Sequence, residues 1–126
     1  MPVTIDTDEK LQRVIVTISE GTRWASFEAA TLSTIAIEPD LTEWTWIIDD
    51  RGPIEDIDVA GVARLGAEFQ RRVRDPLRRT YTVVVTTDRF FDTWLTVVDM
   101  NHGARKHLTA PTLPAAYALV DKLTAE

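Results

Sequence analysis

Residues 46–62 read WIIDDRGPIEDIDVAGV, and the architecture of the chain can be worked out from this stretch. It begins with an apolar run that ends in two acids and a Gly-Pro turn, which is typical of a buried strand followed by a loop. A helix begins after Asp58, a good N-cap residue, and Ile57 and Val62 stand where a hydrophobic staple would hold that cap. The stretch therefore predicts a strand, a loop and a helix, and a second unit of this kind begins at Tyr81.

The same alternation extends over the rest of the chain. Apolar and β-branched runs predict strands over residues 3–6, 11–19, 45–49, 80–87 and 106–109. Helical spacing and capping residues predict helices over 24–37 and 59–74, a third that is capped by Asp88 and runs to about Asn101, and a last one after Thr112. The order β-β-α-β-α-β-α-β-α predicts an α/β fold: a mixed, mainly parallel sheet with an N-terminal hairpin and covering helices.

Composition narrows the class of protein. The 126 residues suit one domain spanning 1–126, and they include no cysteine, which excludes disulfides and thiol catalysis. No apolar run approaches the ~20 residues of a membrane helix, and the N-terminus lacks the pattern of a signal peptide, so we expect a cytoplasmic protein without an integral membrane segment. The net charge of −6 argues against nucleic acid as a partner.

Polar residues gather where two predicted parallel strands end, which is the edge at which open α/β sheets bind ligands. The candidate ligand- or partner-binding residues there and at the next helix start are Asp49, Asp50, Arg51, Gly52, Asp58, Thr87 and Asp88. Three of the carboxylates could hold Mg²⁺ for phosphoryl chemistry. However, neighbouring strand residues face opposite sides and acids before helices are common caps, so we expect no metal and no cofactor.

Groups for nucleophilic catalysis are scarce. None of the three serines lies in a Gly-x-Ser-x-Gly setting, and the chain has no glycine-rich phosphate loop. The only two histidines, His102 and His107, lack the spacing of metal-ligand pairs. We therefore expect a protein that is not an enzyme, with a Mg-dependent phosphoryl enzyme as the third alternative.

Five arginines come after the acidic middle of the chain. They are compatible with a helix end favoured by the helix dipole, or with a patch that docks an acidic partner protein or a second copy of the chain. These interface candidates are Arg71, Arg72, Arg74, Arg78 and Arg79.

The four tryptophans allow two interpretations. Trp44, Trp46 and Trp94 stand at positions that predict burial in the core. Alternatively, an apolar pocket lies under the helices, although a cavity large enough for a lipid would remove much of the core of so small a domain.

Three segments carry a resemblance to a known family. They are WASFEAA at residues 24–30, IIDDRG at 47–52 followed by DVAGV at 58–62, and KHLTA at 106–110 leading into LPAAYALV at 113–120. In this order they resemble the STAS-like family of SpoIIAA-type bacterial proteins, which share their fold with CRAL-TRIO lipid-transfer domains. The resemblance spans nearly the whole chain.

The resemblance implies a cytoplasmic protein-interaction or regulatory module. In STAS domains that antagonise anti-sigma factors, a partner kinase phosphorylates a serine at the start of the second helix, where free N–H groups favour a phosphate. The matching positions here are Val59 and Ala60, which have no hydroxyl, so the phosphorylation switch is missing. A protein partner or a homodimer is the leading expectation. The alternative is a binding protein for a small apolar or anionic ligand at the carboxyl edge of the sheet.

Overall fold

Six-residue strands alternate with helices in the computed structural model, which describes residues 3–52, 54–88, 90–100 and 103–125. The strands are β1 (Val3–Asp8), β2 (Arg13–Ile18), β3 (Thr45–Asp50), β4 (Thr80–Val85) and β5 (Arg105–Ala110). The helices are α1 (Trp24–Ile37), α2 (Val59–Arg72), α3 (Phe90–Asp99) and α4 (Leu113–Thr124), with a 3-10 helix at Pro39–Glu43. The predicted α/β class and element order are confirmed.

The five strands form one mixed sheet in the order β1-β2-β3-β4-β5. β1 pairs with β2 in antiparallel register, and this is the predicted hairpin. The pairs β2–β3, β3–β4 and β4–β5 are all parallel. The inner strands are therefore β2, β3 and β4, and β1 and β5 form the two edges.

The two faces of the sheet bury different helices. One cluster of buried side chains joins α1 and α2 to β1–β3, and Val98 of α3 packs against it. A second cluster joins α4 to the other face, around Ile47, Val83 and Val120. The parallel strands follow one another across the sheet in one direction, and the crossovers between them are right-handed. The three crossover helices α1, α2 and α3 therefore all lie on the same face. The helix α4, which comes after the last strand, covers the opposite face.

Hydrogen bonds at the helix starts explain where the helices begin. The Asp58 carboxylate accepts from the N–H of Ala60 at 3.1 Å, so the predicted cap of α2 is confirmed. Thr112 caps α4 in the predicted way. At α1, Arg23 supplies no side-chain cap. Instead, the N–H of Trp24 donates to the carboxylate of Asp56, 32 residues further along the chain, at 2.8 Å.

Several predicted boundaries need correction. The helix α1 spans the predicted residues, but α2 ends at Arg72 rather than Arg74, because Val73 adopts an extended conformation. The 3-10 helix at Pro39–Glu43 was not predicted. The helix α3 begins at Phe90 and ends at Asp99, two residues before the expected Asn101. The predictions for His102 and Asn101 and for the side chains of Phe91 and Trp94 fall outside the described residues.

None of the helices in the described ranges combines the length and apolar character that crossing a membrane requires.

Candidate functional site

A cavity of about 120 Å³ lies between the sheet and the helices α1, α2 and α3. Most of the lining that the described residues supply is apolar, and it includes the aromatic side chains of Trp24, Phe27, Trp46 and Phe69. The polar residues in this part of the lining are Thr31, Asp50, Thr82, Arg105 and His107. Because polar groups are few and the walls are largely hydrophobic, the cavity has the composition of a small-molecule site.

The strand register places two charged groups at opposite ends of this cavity. Arg105 pairs with Thr80 at the start of the parallel strands. Asp50 stands one residue beyond Asp49, which is in register with Val85 and, through it, with Ala110. At about 3.3 Å per residue, Asp50 and Arg105 are ~20 Å apart along the strand direction. The cavity therefore has an acidic end at the carboxyl edge of the sheet and a basic end at the opposite edge.

The carboxyl group of Asp50 is half-buried and lacks a full set of partners. Its Oδ1 atom is buried and makes no hydrogen bond to the described part of the chain. The pKa of Asp50 is raised to about 6, chiefly by burial, while a hydrogen bond from the backbone of Gly52 opposes the shift and the nearby negative charge of Asp49 adds to it. A carboxylate in an apolar pocket without a counter-charge is a good candidate for a ligand contact.

Asp49 and Asp50 serve different faces of the sheet, as strand alternation requires. The Asp49 side chain is nearly buried, and it accepts from Arg51 Nε at 3.1 Å. Asp50 instead lines the cavity. Within the described ranges, no group of three histidine or acidic side chains is arranged to hold a metal ion.

Two other acids near the acidic end, Glu28 and Asp56, already have cationic or N–H partners. Glu28 accepts from the indole N–H of Trp24 at 2.7 Å and pairs with Arg64 at 3.0 Å. Asp56 accepts from the N–H of Trp24 and lies 3.9 Å from Arg23. Of the ion pairs formed by the described residues, none includes Asp50.

The aromatic rings near Asp50 belong to α1. Asp50 is in register with Ile18, and α1 begins six residues after Ile18, so Trp24 and Phe27 lie at the acidic end. The two ring centroids are 5.4 Å apart and the planes are tilted by 43°. The acidic end thus combines a carboxylate with a pair of aromatic rings.

Thr31 contributes a second polar atom without a partner. It lies two helical turns after Trp24 on α1, and its side chain is almost fully buried. Its Oγ1 atom makes no hydrogen bond to the described residues, although a helical threonine commonly bonds the carbonyl four residues earlier. A buried hydroxyl on the cavity wall is available to a polar atom of a ligand.

Arg105 closes the opposite end of the cavity. Its guanidinium lies 5.2 Å from the centre of the Phe69 ring and is fully buried without a carboxylate partner among the described residues. Burial lowers the pKa of Arg105 to about 9. It donates four hydrogen bonds of 2.8 Å, to the carbonyls of Thr42, Trp44 and Tyr81 and to the hydroxyl of Thr82. Because the N–H groups of the guanidinium donate to these acceptors within the protein, the role of Arg105 is structural.

Next to Arg105, His107 forms a pair with Asp99 of α3. The Nδ1 atom of His107 lies 2.8 Å from Asp99 Oδ1, which also accepts from the backbone N–H of His107 at 2.7 Å. Burial lowers the pKa of His107, and the Asp99 carboxylate partly opposes this shift. The pair fixes α3 to β5 at the basic end.

The remaining predicted site residues lie outside the cavity. Gly52 is buried against Glu20, and a Cβ atom on Gly52 would lie 2.4 Å from the Glu20 Cα atom. Arg51, Thr87 and Asp88 are exposed, and the N–H of Asp88 donates to the Thr86 hydroxyl at 3.1 Å. Asp58 caps α2 and pairs with Arg64 at 3.3 Å. Asp50 is the one member of the predicted set that lines the cavity.

The five candidate interface arginines do not form one free patch. Arg71 and Arg72 both pair with Glu68, at 2.8 and 3.1 Å, and Arg74 pairs with Asp40 at 2.8 Å. Arg78 and Arg79 are exposed in the turn before β4. Part of the basic charge is therefore compensated within the chain.

Sequence reasoning missed Thr31, Arg105 and Asp99. Threonine in a helix and arginine at a strand start are common, so nothing in the local pattern marks these residues. The roles of these three residues can be recognised only from their neighbours in the folded chain. For example, the Arg105 guanidinium lies over the Phe69 ring.

Comparison with protein-family models, with curated proteins and with solved structures gives no match for this chain. A function is therefore inferred from the residues of the chain and their geometry.

Proposed function

We propose that this protein is a non-enzymatic binding protein that holds a small, mainly apolar molecule in the cavity beneath α1–α3. The cavity itself is the observation that supports this function: about 120 Å³, mostly apolar, and bounded by a carboxylate at the carboxyl edge of the sheet. An engineered apolar cavity of ~150 Å³ in another protein binds benzene. The volume therefore suits one ring and is too small for a lipid chain.

The STAS-like resemblance belongs to the same proposal. A mixed sheet with an N-terminal hairpin and helices on both faces supports the assignment. The start of α2, where related domains carry a phosphorylatable serine, has Val59 and Ala60 instead. Since neither position has a hydroxyl, phosphorylation there cannot be the regulatory signal. Binding of a ligand in the cavity would take that role. A cytoplasmic location and a bacterial source stay predictions.

Toluene is the simplest probe of the cavity. We expect it to perturb the NMR methyl signals of Ile48 and Val84, which line the cavity, and to raise the melting temperature. Val84→Phe fills the cavity and should abolish both effects. Val59→Phe is the matched control, because Val59 is 61% exposed and is not among the residues that line the cavity.

The outcomes separate clearly. Perturbation of the Ile48 and Val84 methyl signals of the wild type by toluene supports the proposal if the Ile48 perturbation is lost in Val84→Phe and both perturbations are kept in Val59→Phe. If Val84→Phe does not fold, the methyl signals of the wild-type protein still give the answer. The absence of any effect of toluene or of larger single-ring compounds on those signals would refute a ligand cavity.

A second candidate function is protein interaction through the first turn of α2. Val59 is large, apolar and 61% exposed, at the position where the partner kinase acts on STAS domains. If the partner is a second copy, sedimentation velocity should show self-association that Val59→Asp removes without loss of thermal stability. A monomer at all concentrations would exclude the homodimer.

A further inference from the structure

The ligand class can be inferred from the charges around Asp50, and this inference rests on the proposed function. Asp50 Oδ1 is a buried acceptor without a donor among the described residues, at the end of a cavity whose walls are apolar. Burying an acceptor without a partner is costly, and burying an unpaired negative charge is more so. A ligand that brings both a donor and a positive charge would remove both costs.

Among the residues that the structure describes, the cations nearest to Asp50 do not supply that charge. Arg51 pairs with Asp49 on the other face of the sheet, and Arg64 pairs with Glu28 and Asp58. Arg105 is ~20 Å away along the strands, and its guanidinium donates to four other acceptors. Among the described residues, the cavity therefore has one carboxylate that lacks a cation, and that carboxylate is on the ligand-facing side.

Aromatic side chains at the same end favour a cation as well. Trp24 and Phe27 line the cavity at the same end as Asp50, and the faces of aromatic rings attract ammonium groups and C–H groups next to a positive charge. The indole N–H of Trp24 is occupied by Glu28, so this side chain offers its ring rather than a donor. An anionic ligand would meet repulsion from Asp50 and no free N–H donor from Trp24.

We propose that the ligand of this cavity is a small primary amine with one apolar ring, whose ammonium group pairs with the Asp50 carboxylate and whose ring lies against Trp24 and Phe27. The half-exposed position of Asp50 keeps the ammonium group near the cavity mouth, where it retains part of its hydration. The ring fills the apolar interior, above the paired side chains of Ile48 and Val84 on the sheet. The unpartnered hydroxyl of Thr31 is deeper on the wall and can meet a further polar substituent.

Four probes with the same ring test the ligand class: benzylamine, benzyl alcohol, toluene and benzoate. At pH 7.5 both benzylamine and Asp50 are charged. We expect calorimetric titration to rank benzylamine first and benzoate last. Asp50→Asn should weaken benzylamine about tenfold or more, as for the loss of a charge-assisted hydrogen bond, and leave toluene unchanged. The matched control is Asp49→Asn, which removes the adjacent acid on the other face and should leave benzylamine binding intact.

Each outcome bears on one of the two proposals. Equal binding of benzylamine to wild type and Asp50→Asn, with toluene still bound, overturns the amine and leaves the cavity function standing. Tightest binding of benzoate also overturns the amine. Failure of all four probes to perturb the Ile48 and Val84 signals overturns the cavity function itself. If Asp50→Asn does not fold, nuclear Overhauser contacts between wild-type protein and benzylamine decide: the ring protons must reach Trp24 and Phe27.

Discussion

Replacing Asp50 with asparagine should stabilise the protein more at neutral pH than in acid. In the folded chain the pKa of Asp50 is raised from 3.8 to about 6, chiefly by burial. Between these two values the folded state keeps a proton that the unfolded state has lost. The free energy of unfolding of the wild type therefore falls as the pH rises through this window, and the penalty is complete above pH 6. The amide side chain of the Asp50→Asn variant carries no charge at any of these pH values.

The size of the effect can be worked out from the same pKa. Each unit of pKa corresponds to about 1.36 kcal/mol, so the full penalty would be ~3 kcal/mol for a carboxyl without solvent contact. Asp50 is half-exposed, and solvent screening reduces this figure to about 1.5 kcal/mol. Part of the penalty is already present at pH 4.5. We expect the stability difference between Asp50→Asn and wild type to grow by about 1 kcal/mol from pH 4.5 to pH 7.5.

Urea denaturation of both proteins at several pH values measures this difference directly. Charges elsewhere in the chain affect both proteins alike, so they cancel in the comparison. Any fixed cost of placing an amide in the cavity also cancels, because it does not depend on pH. A stability difference that stays constant from pH 4.5 to pH 7.5 would refute the reasoning, and one that shrinks with rising pH would show that the Asp50 carboxylate has a cation in the free protein.

Three further substitutions test the surroundings of the cavity, each by the denaturation midpoint. Gly61→Ala places a Cβ atom 2.1 Å from Trp24 Nε1, so the indole must shift or α1 and α2 must move apart. We expect a loss of about 2 kcal/mol, and an unchanged midpoint would contradict this packing. Arg105→Lys leaves some of the four acceptors without a donor and should cost about 3 kcal/mol, whereas full stability would mean that the guanidinium is dispensable. Asp58→Ala removes the N-cap of α2 and should cost about 1 kcal/mol, with no loss showing that the cap contributes nothing.

The helices and strands are largely predictable because their signals are local. The apolar stripe of α2 and the cap at Asp58 depend on residues within a few positions of one another, and the structure contains both. The predicted end of α2 lies two residues too late, because the extended conformation of Val73 is not encoded in the helical pattern. The 3-10 helix after Glu38 is missed, since Pro39 marks the end of one helix without specifying the structure of the next segment.

The candidate site is predictable only in part. Strand alternation separates Asp49 from Asp50, and the sequence indicates that both lie at the carboxyl edge of the sheet. It does not indicate which of the two receives Arg51 as a partner, because that choice depends on three-dimensional distances. The amine proposal depends on the lack of a cationic partner for Asp50 among the described residues. That feature emerges only from the three-dimensional positions of the neighbouring charges.

The order of the strands has a consequence for how the chain assembles during synthesis. Each strand pairs with the one made just before it, so a growing chain can add strands at one edge without threading a segment between two that already exist. The last strand contains Arg105, whose guanidinium donates to three carbonyls and a hydroxyl of residues that are synthesised earlier. Until β5 leaves the ribosome, those acceptors have no guanidinium donor. A nascent chain stalled before residue 105 should therefore resist proteolysis poorly, and protection should rise sharply once β5 and α4 are released.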